Sequence, residues 1–335
     1  MISVSPLLSC SPRKRELFAV DPYFRDAWDD MLDRWGTEET IERMLSLASV
    51  IFRPDALVVR GVRRGLNAIR ELGFVPVGST TFRYNRMTVR EGWRYQLNIA
   101  TRQRIDVMDM IMPATDSLYL MMKRTSPDPR LPASTYLSSQ KGPSLPEHRE
   151  PHHLRALIGD AQVSVLTYIH ISDEAADLIR ELGVFFDRAQ RIEILNAIEV
   201  NQDVSQTLDR VIEQLYSNVP EHQLNFAETI DRITRMVREK QRSADHPPLG
   251  ALLDLCEDIR NGVSRDWQRL LDLLDRSRIT IDHWDRVAIA APLAEKHLNE
   301  EDLIPDISLA DWVLDSTSSS ILDTEPGLTQ VASNE

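Results

Sequence analysis

Between residues 48 and 190 short apolar runs alternate with stretches whose apolar residues recur at helical spacing, and beyond 190 no strand-like run returns. That alternation restricts the chain to an α/β or α+β sandwich in which helices cover a small sheet, followed by an all-helical region. The run SVIFRP (49–54) is stopped by Pro54, as a buried strand entering a loop would be. A helix follows over 57–73, with Leu57, Val58, Val62, Leu66, Ile69 and Leu72 on one face and Gly73 at its end. A strand is then expected over 74–84, a helix over 87–98, a strand over 117–124 and a loop rich in Pro and Ser over 125–151. The most strand-like run is 161–170, AQVSVLTYIH; a Ser-capped helix follows it over 172–186.

Residues 1–20 read as a flexible lead, and 22–35 as a helix stopped by Gly36, with a second helix after Thr37. Five amphipathic helices are expected at 191–216, 226–243, 249–260, 264–276 and 283–298, then a tail without stable structure. The organisation is therefore an N-terminal addition (1–47), a mixed domain (48–190), a helical domain (191–310) and a tail (311–335).

The 335 residues are 42% hydrophobic and 27% charged, a mixture that suits a globular protein. Net charge is −13, yet residues 191–335 carry 14 Lys and Arg against 28 Asp and Glu, so the first 190 residues are close to neutral. An acidic surface repels phosphate backbones, which argues against nucleic acid and anionic membranes as partners. Cys10 and Cys256 form no disulfide framework or zinc pattern, no segment has the length of a spanning helix, and the opening residues lack the basic region of a signal. A cytoplasmic protein is the expectation.

Chemistry concentrates at the end of the fourth expected strand, in YIHISD. His170 at a strand terminus exposes one ring nitrogen to a cleft, and Glu181, eleven residues on, reaches the other nitrogen if the next helix folds back beside the strand. A histidine whose tautomer is fixed in this way is suited to accept a phosphoryl group. Of the remaining candidates, Arg60, Arg63 and Arg64 read as a solvated face. His148, His152 and His153 fit no common ligand spacing, so no metal site is assigned. The methionines at 108, 110, 112, 121 and 122, and Trp284 beside His283, read as core.

The order FRPDA, helix, ELGF, strand, GPSLPEHREPHHLR, YIHISDEAADLIRELGVFF resembles nucleoside diphosphate kinase over about residues 48–188. The corresponding family segments read KPD, KGF, G-x-T-N-P-x-x-S-x-P-G-T-I-R and N-x-I-H-G-S-D-S-x-x-x-A-x-x-E-I-x-x-W-F. Gly142, Pro146, Pro151 and Arg155 keep the first spacing, and His170, Ser172, Asp173 and Glu181 keep the second. The resemblance implies a ferredoxin-like α/β sandwich and ping-pong transfer of a γ-phosphate from a nucleoside triphosphate such as ATP to a diphosphate through a phosphohistidine. It implies His170 as nucleophile, with Glu181 as its orienting partner and Ser172 beside them.

Arg155 would contact phosphate, Ser144 stands for the family threonine, Arg53 for the catalytic lysine and Thr167 for the asparagine, while Trp93 or Tyr95 lies near the family tyrosine. Magnesium would arrive with the nucleotide. The sequence departs from the family at Ile171, a glycine there; at Ser138, the counted position of a second arginine, for which Lys141 is the nearby cation; and at Thr101, where an aromatic stacks the base. The alternative is a nucleotide-binding sensor that signals without turnover. In either case the amphipathic helical half points to a homo-oligomer or a protein partner.

Overall fold

The structure is a computed structural model and describes residues 2–126, 128, 131–160, 163–201, 203–243, 247–295, 298, 302–305 and 307–312. The expected tail beyond 312 lies outside the described residues.

Four strands form one sheet: β1 (Leu47–Phe52), β2 (Phe74–Phe82), β3 (Ser117–Arg124) and β4 (Ile169–Ile171). Their order is β2-β3-β1-β4, and every neighbouring pair is antiparallel. All six residues of β1 are buried, as a central strand covered on both faces must be. Val50 pairs with Leu120 on one side and Ile171 on the other, and Ile51 with Tyr119 and His170.

The N-terminal segment is not a flexible lead. It forms α1 (Pro12–Val20) and α2 (Pro22–Leu45), each with proline in its first turn and a side-chain cap, Ser11 and Asp21. Gly36 breaks α2 with φ 72°, at the stop the sequence marks. Val4, Leu8 and Phe18 are buried, which anchors this segment in the core. The helix expected over 57–73 is two, α3 (Pro54–Val58) and α4 (Val62–Glu71), because Arg60 takes positive φ between them. Helix α5 (Arg86–Gly92) ends earlier than expected, and α6 (Arg102–Ile111) follows it. Two short helices lie after β3: α7 (Ala133–Lys141), inside the expected loop, and α8 (Leu154–Ile158).

Helix α9 (Ala175–Phe185) crosses α2 closely enough that a Cβ on Gly183 would lie 2.0 Å from the Tyr23 carbonyl oxygen; only glycine fits there. The C-terminal half is helical as expected: α10 (Arg188–Glu199), α11 (Ser205–Ser217), α12 (Phe226–Ser243), α13 (Pro247–Arg260), α14 (Trp267–Arg276) and α15 (His283–Leu293). The single helix expected over 191–216 is thus α10 and α11. Helix α10 packs on β2 and α15 on α6, and one contiguous apolar core runs from Val4 to Ile304 with Trp284 inside it. The arginines expected on a solvated face do lie at the surface, Arg64 exposed and Arg60 and Arg63 half-buried, and each is bonded there. Arg63 pairs with Glu213 and Asp209 of α11, Arg60 donates to the Val219 carbonyl, and Arg64 to those of Leu157 and Ile158.

Candidate functional site

The fourth strand is three residues long, not ten, and the reason lies far away in sequence. Tyr168 adopts φ 62°, a left-handed conformation costly for an aromatic residue, and its N–H donates to Asp55 Oδ2 at 2.9 Å. Arg53 holds the same turn: its Nε donates to Asp55 Oδ1 at 3.2 Å, its Nη2 to the Val165 carbonyl at 3.1 Å, and its Nη1 to Thr167 Oγ1. Extended pairing begins only after this tie, at Ile169. Ile169 and Ile171 are then buried, and the alternation of the strand turns His170 to the other face.

Helix α9 folds back as the eleven-residue spacing requires. His170 Nε2 lies 2.6 Å from Glu181 Oε1. The other carboxylate oxygen lies 2.6 Å from Ser172 Oγ and 3.1 Å from Ser49 Oγ, and the two hydroxyls also touch each other, so their two protons are shared among these three contacts. Ser172 therefore does not cap α9. Glu174 does, in a capping box with Asp177. Burial alone would raise the Glu181 carboxyl, but His170 and the two hydroxyls outweigh it and hold the group below the ordinary carboxylate range. An ionised Glu181 can only accept, so the imidazole proton sits on Nε2 and donates to it, which leaves the Nδ1 lone pair as the available one. No described residue bonds Nδ1.

His170 stands where two cavities meet. The larger, about 530 Å³, lies between the 138–155 segment and α9; the smaller, about 260 Å³, lies toward α6. Trp93, Ser144, Arg155 and His170 line both. The Trp93 and His170 rings meet edge to face at 5.2 Å, which limits rotation of the imidazole. Arg155 Nη1 donates to the Gly142 carbonyl at 2.6 Å, and Gly142 has φ 82° with the His153 ring where a Cβ would sit. Arg149 fixes the same loop through the carbonyls of Pro143 and Ser144.

The structure thus brings His170, Glu181 and Ser172 together and sets Arg155, Ser144 and Trp93 around them. Tyr95 lines the larger cavity but donates its hydroxyl to Asp21 Oδ2 at 3.0 Å, and burial raises its pKa. Arg53 and Thr167 line the smaller cavity, with much of the Arg53 guanidinium committed to the Tyr168 turn. The Ile171 side chain is buried in the sheet and does not crowd the cleft. Thr101, at the counted base-stacking position, caps α6 and donates to the Glu295 carbonyl. Lys141 pairs with Asp173 at 2.8 Å, and Ser138 donates to the same carboxylate. Burial works against ionisation of Asp173, but Lys141, Lys14 and Ser138 hold its pKa far below the usual range.

Three features escaped the sequence reading. Lys14, from the supposed lead, is buried between Glu174 and Asp177, at 2.7 Å from each. Arg180 reaches the larger cavity from α9, bonded to Asp21 and the Glu91 carbonyl. Arg104 reaches the smaller cavity from α6. Its spacing from the buried Met108 and Ile111 puts an arginine on the apolar face of a helix, a signal present in the sequence. Among the described residues no three His, Cys, Asp or Glu side chains cluster as metal ligands, and no helix is long and apolar enough to cross a membrane.

No family model and no curated protein sequence matches the chain. Among solved structures, it is similar to the nucleoside diphosphate kinase of Aquifex aeolicus at 17% identity and a TM-score of 0.35, over 43% of this chain and 96% of that one. A nucleoside diphosphate kinase from Encephalitozoon cuniculi in its apo form gives 16% and 0.35, over 42% and 87%. One from Halobacterium salinarum in complex with CDP gives 19% and 0.35, over 43% and 88%.

Proposed function

We propose that the cleft around His170 is a phosphoryl-transfer site of the nucleoside diphosphate kinase kind, taking a γ-phosphate from a nucleoside triphosphate. The observation that carries this reading is the His170–Glu181 pair at 2.6 Å, backed by Ser172 and Ser49, with Nδ1 left available where two cavities join. The motif resemblance and the β2-β3-β1-β4 antiparallel order, which suits a ferredoxin-like sandwich, point the same way.

In the forward half-reaction the Nδ1 lone pair attacks the γ-phosphorus, the bond to the β,γ-bridging oxygen breaks, and the diphosphate leaves with that electron pair. The imidazole becomes cationic as it bonds phosphorus, and the Glu181 carboxylate on Nε2–H stabilises that charge. In the return, a terminal oxygen of an acceptor diphosphate attacks the phosphorus and releases neutral His170. Arg155 and the Ser144 hydroxyl would hold the phosphate oxygens from the shared wall. Magnesium, when bound, would supply charge neutralisation on the nucleotide phosphates. Among the described residues it meets no vacant carboxylate cluster, since Asp173 and Asp177 on the larger cavity are each paired with a lysine.

One observation favours a second reading, a nucleotide-binding sensor. Arg53, which stands for the catalytic lysine, is occupied by Asp55, Thr167 and Val165 and so is poorly placed to follow a moving phosphoryl group. Intact mass after incubation with ATP and magnesium separates the two. An acid-labile phosphoryl adduct present in the protein and absent from His170→Ala supports transfer; ATP binding with no adduct supports the sensor. Absence of both rejects the site.

A further inference from the structure

The smaller cavity holds more positive charge than a pocket for a neutral base needs. Arg53, Arg104 and Arg155 line it together with His170, and Asp302 is the carboxylate on its wall. Arg53 is locally balanced by Asp55. Arg104 differs: its hydrogen bond is a long one, 3.4 Å to Ser164 Oγ, and no carboxylate among the described residues forms an ion pair with it. A guanidinium held half-buried on the apolar side of α6 without an acidic partner is unfavourable unless an anion completes it. Thr101, where an aromatic would stack a base, is turned to the Glu295 carbonyl and offers no stacking face.

We propose that the smaller cavity is a second anion subsite, centred on Arg104, and that the physiological ligand is a phosphorylated small molecule carrying a second phosphate or carboxylate. The inference rests on reading the His170 cleft as a phosphate site. One anion lies against His170 and Arg155, and the other reaches Arg104. Burial and the neighbouring Arg53 both lower the Arg104 pKa, the direction expected of a cation that a second anionic group would relieve. Asp302, on the C-terminal segment, lines the same cavity.

Two matched pairs of probes test this by titration calorimetry on the full chain: adenosine 3′,5′-bisphosphate against adenosine 5′-monophosphate, and fructose 1,6-bisphosphate against fructose 6-phosphate. In at least one pair the bisphosphate should bind about ten- to a hundredfold tighter, the range of one charge-assisted hydrogen bond. The pair that responds tells whether the scaffold is nucleoside or sugar. Arg104→Gln should erase the difference and leave the monophosphate affinity unchanged, and Arg104→Lys should restore part of it. Equal binding within both pairs, or equal loss of both affinities in Arg104→Gln with an unchanged melting temperature, overturns the subsite alone. No binding of any probe overturns the phosphate site as well.

Discussion

Glu181→Gln tests the centre of the site without removing a side chain. The carboxylate accepts at most three hydrogen bonds, from His170, Ser172 and Ser49. A bond to a charged acceptor is worth about 1 kcal/mol more than a neutral one, so neutralising the group forfeits at most about 3 kcal/mol. The amide no longer bears the cost of burying a charge, and the serine hydroxyls can rotate to accept from its NH₂, which reduces the net loss to about 1–2 kcal/mol. At roughly 2–4 °C per kcal/mol, the melting temperature at pH 7 should fall by about 2–8 °C.

The sign with pH follows from the depressed carboxyl. Its stabilisation is fully present above the ordinary pKa of 4.5 and is lost as pH falls through the lower value in the fold. The two melting curves should therefore converge toward acid. Calorimetric or circular-dichroism melts of both proteins from pH 7 to pH 3.5 measure this directly. Equal melting temperatures at pH 7, or a gap that stays constant into acid, would refute the assignment of Glu181 as an ionised partner of His170.

Asp55→Asn should cost about 3–5 kcal/mol in chemical denaturation, because Arg53 is left buried without its counter-charge; a loss under about 1 kcal/mol would dissociate the Tyr168 turn from that pair. Gly183→Ala drives a methyl group into the Tyr23 backbone and should cost about 1–3 kcal/mol or more, and wild-type stability would contradict the close crossing of α2 and α9. Burial and the neighbouring Glu174 and Asp173 push Asp177 up to about 6, against Lys14. A raised carboxyl favours the fold below its unfolded value of 3.8 and loses that advantage as pH rises through 6, so Asp177→Asn should gain on the wild type between pH 4 and 6. Parallel stability profiles for the two proteins would count against that charge cluster.

What the sequence displayed was local. The periodicity of α9 and the eleven residues from His170 to Glu181 required only that a helix fold back beside its strand, and they placed that pair correctly. Gly36, which the sequence marks as a helix stop, likewise acts within one turn of chain. Two of the misread stretches are decided by partners more than a hundred residues away. AQVSVLTYIH has the apolar, β-branched composition of a long strand, yet Asp55 and Arg53 bend it at Tyr168 and leave three residues to pair. The opening residues have the Ser, Pro and basic composition of a lead, yet Glu174 and Asp177 bury Lys14 and convert it into a wall beside the cleft. Arg104 lies between these cases: its position on the apolar face of α6 was visible, but its meaning depended on Arg53, Arg155 and His170 converging on the same cavity. A buried cation is only half of an interaction, and the nature of its other half is what distinguishes a nucleobase pocket from a second anion site.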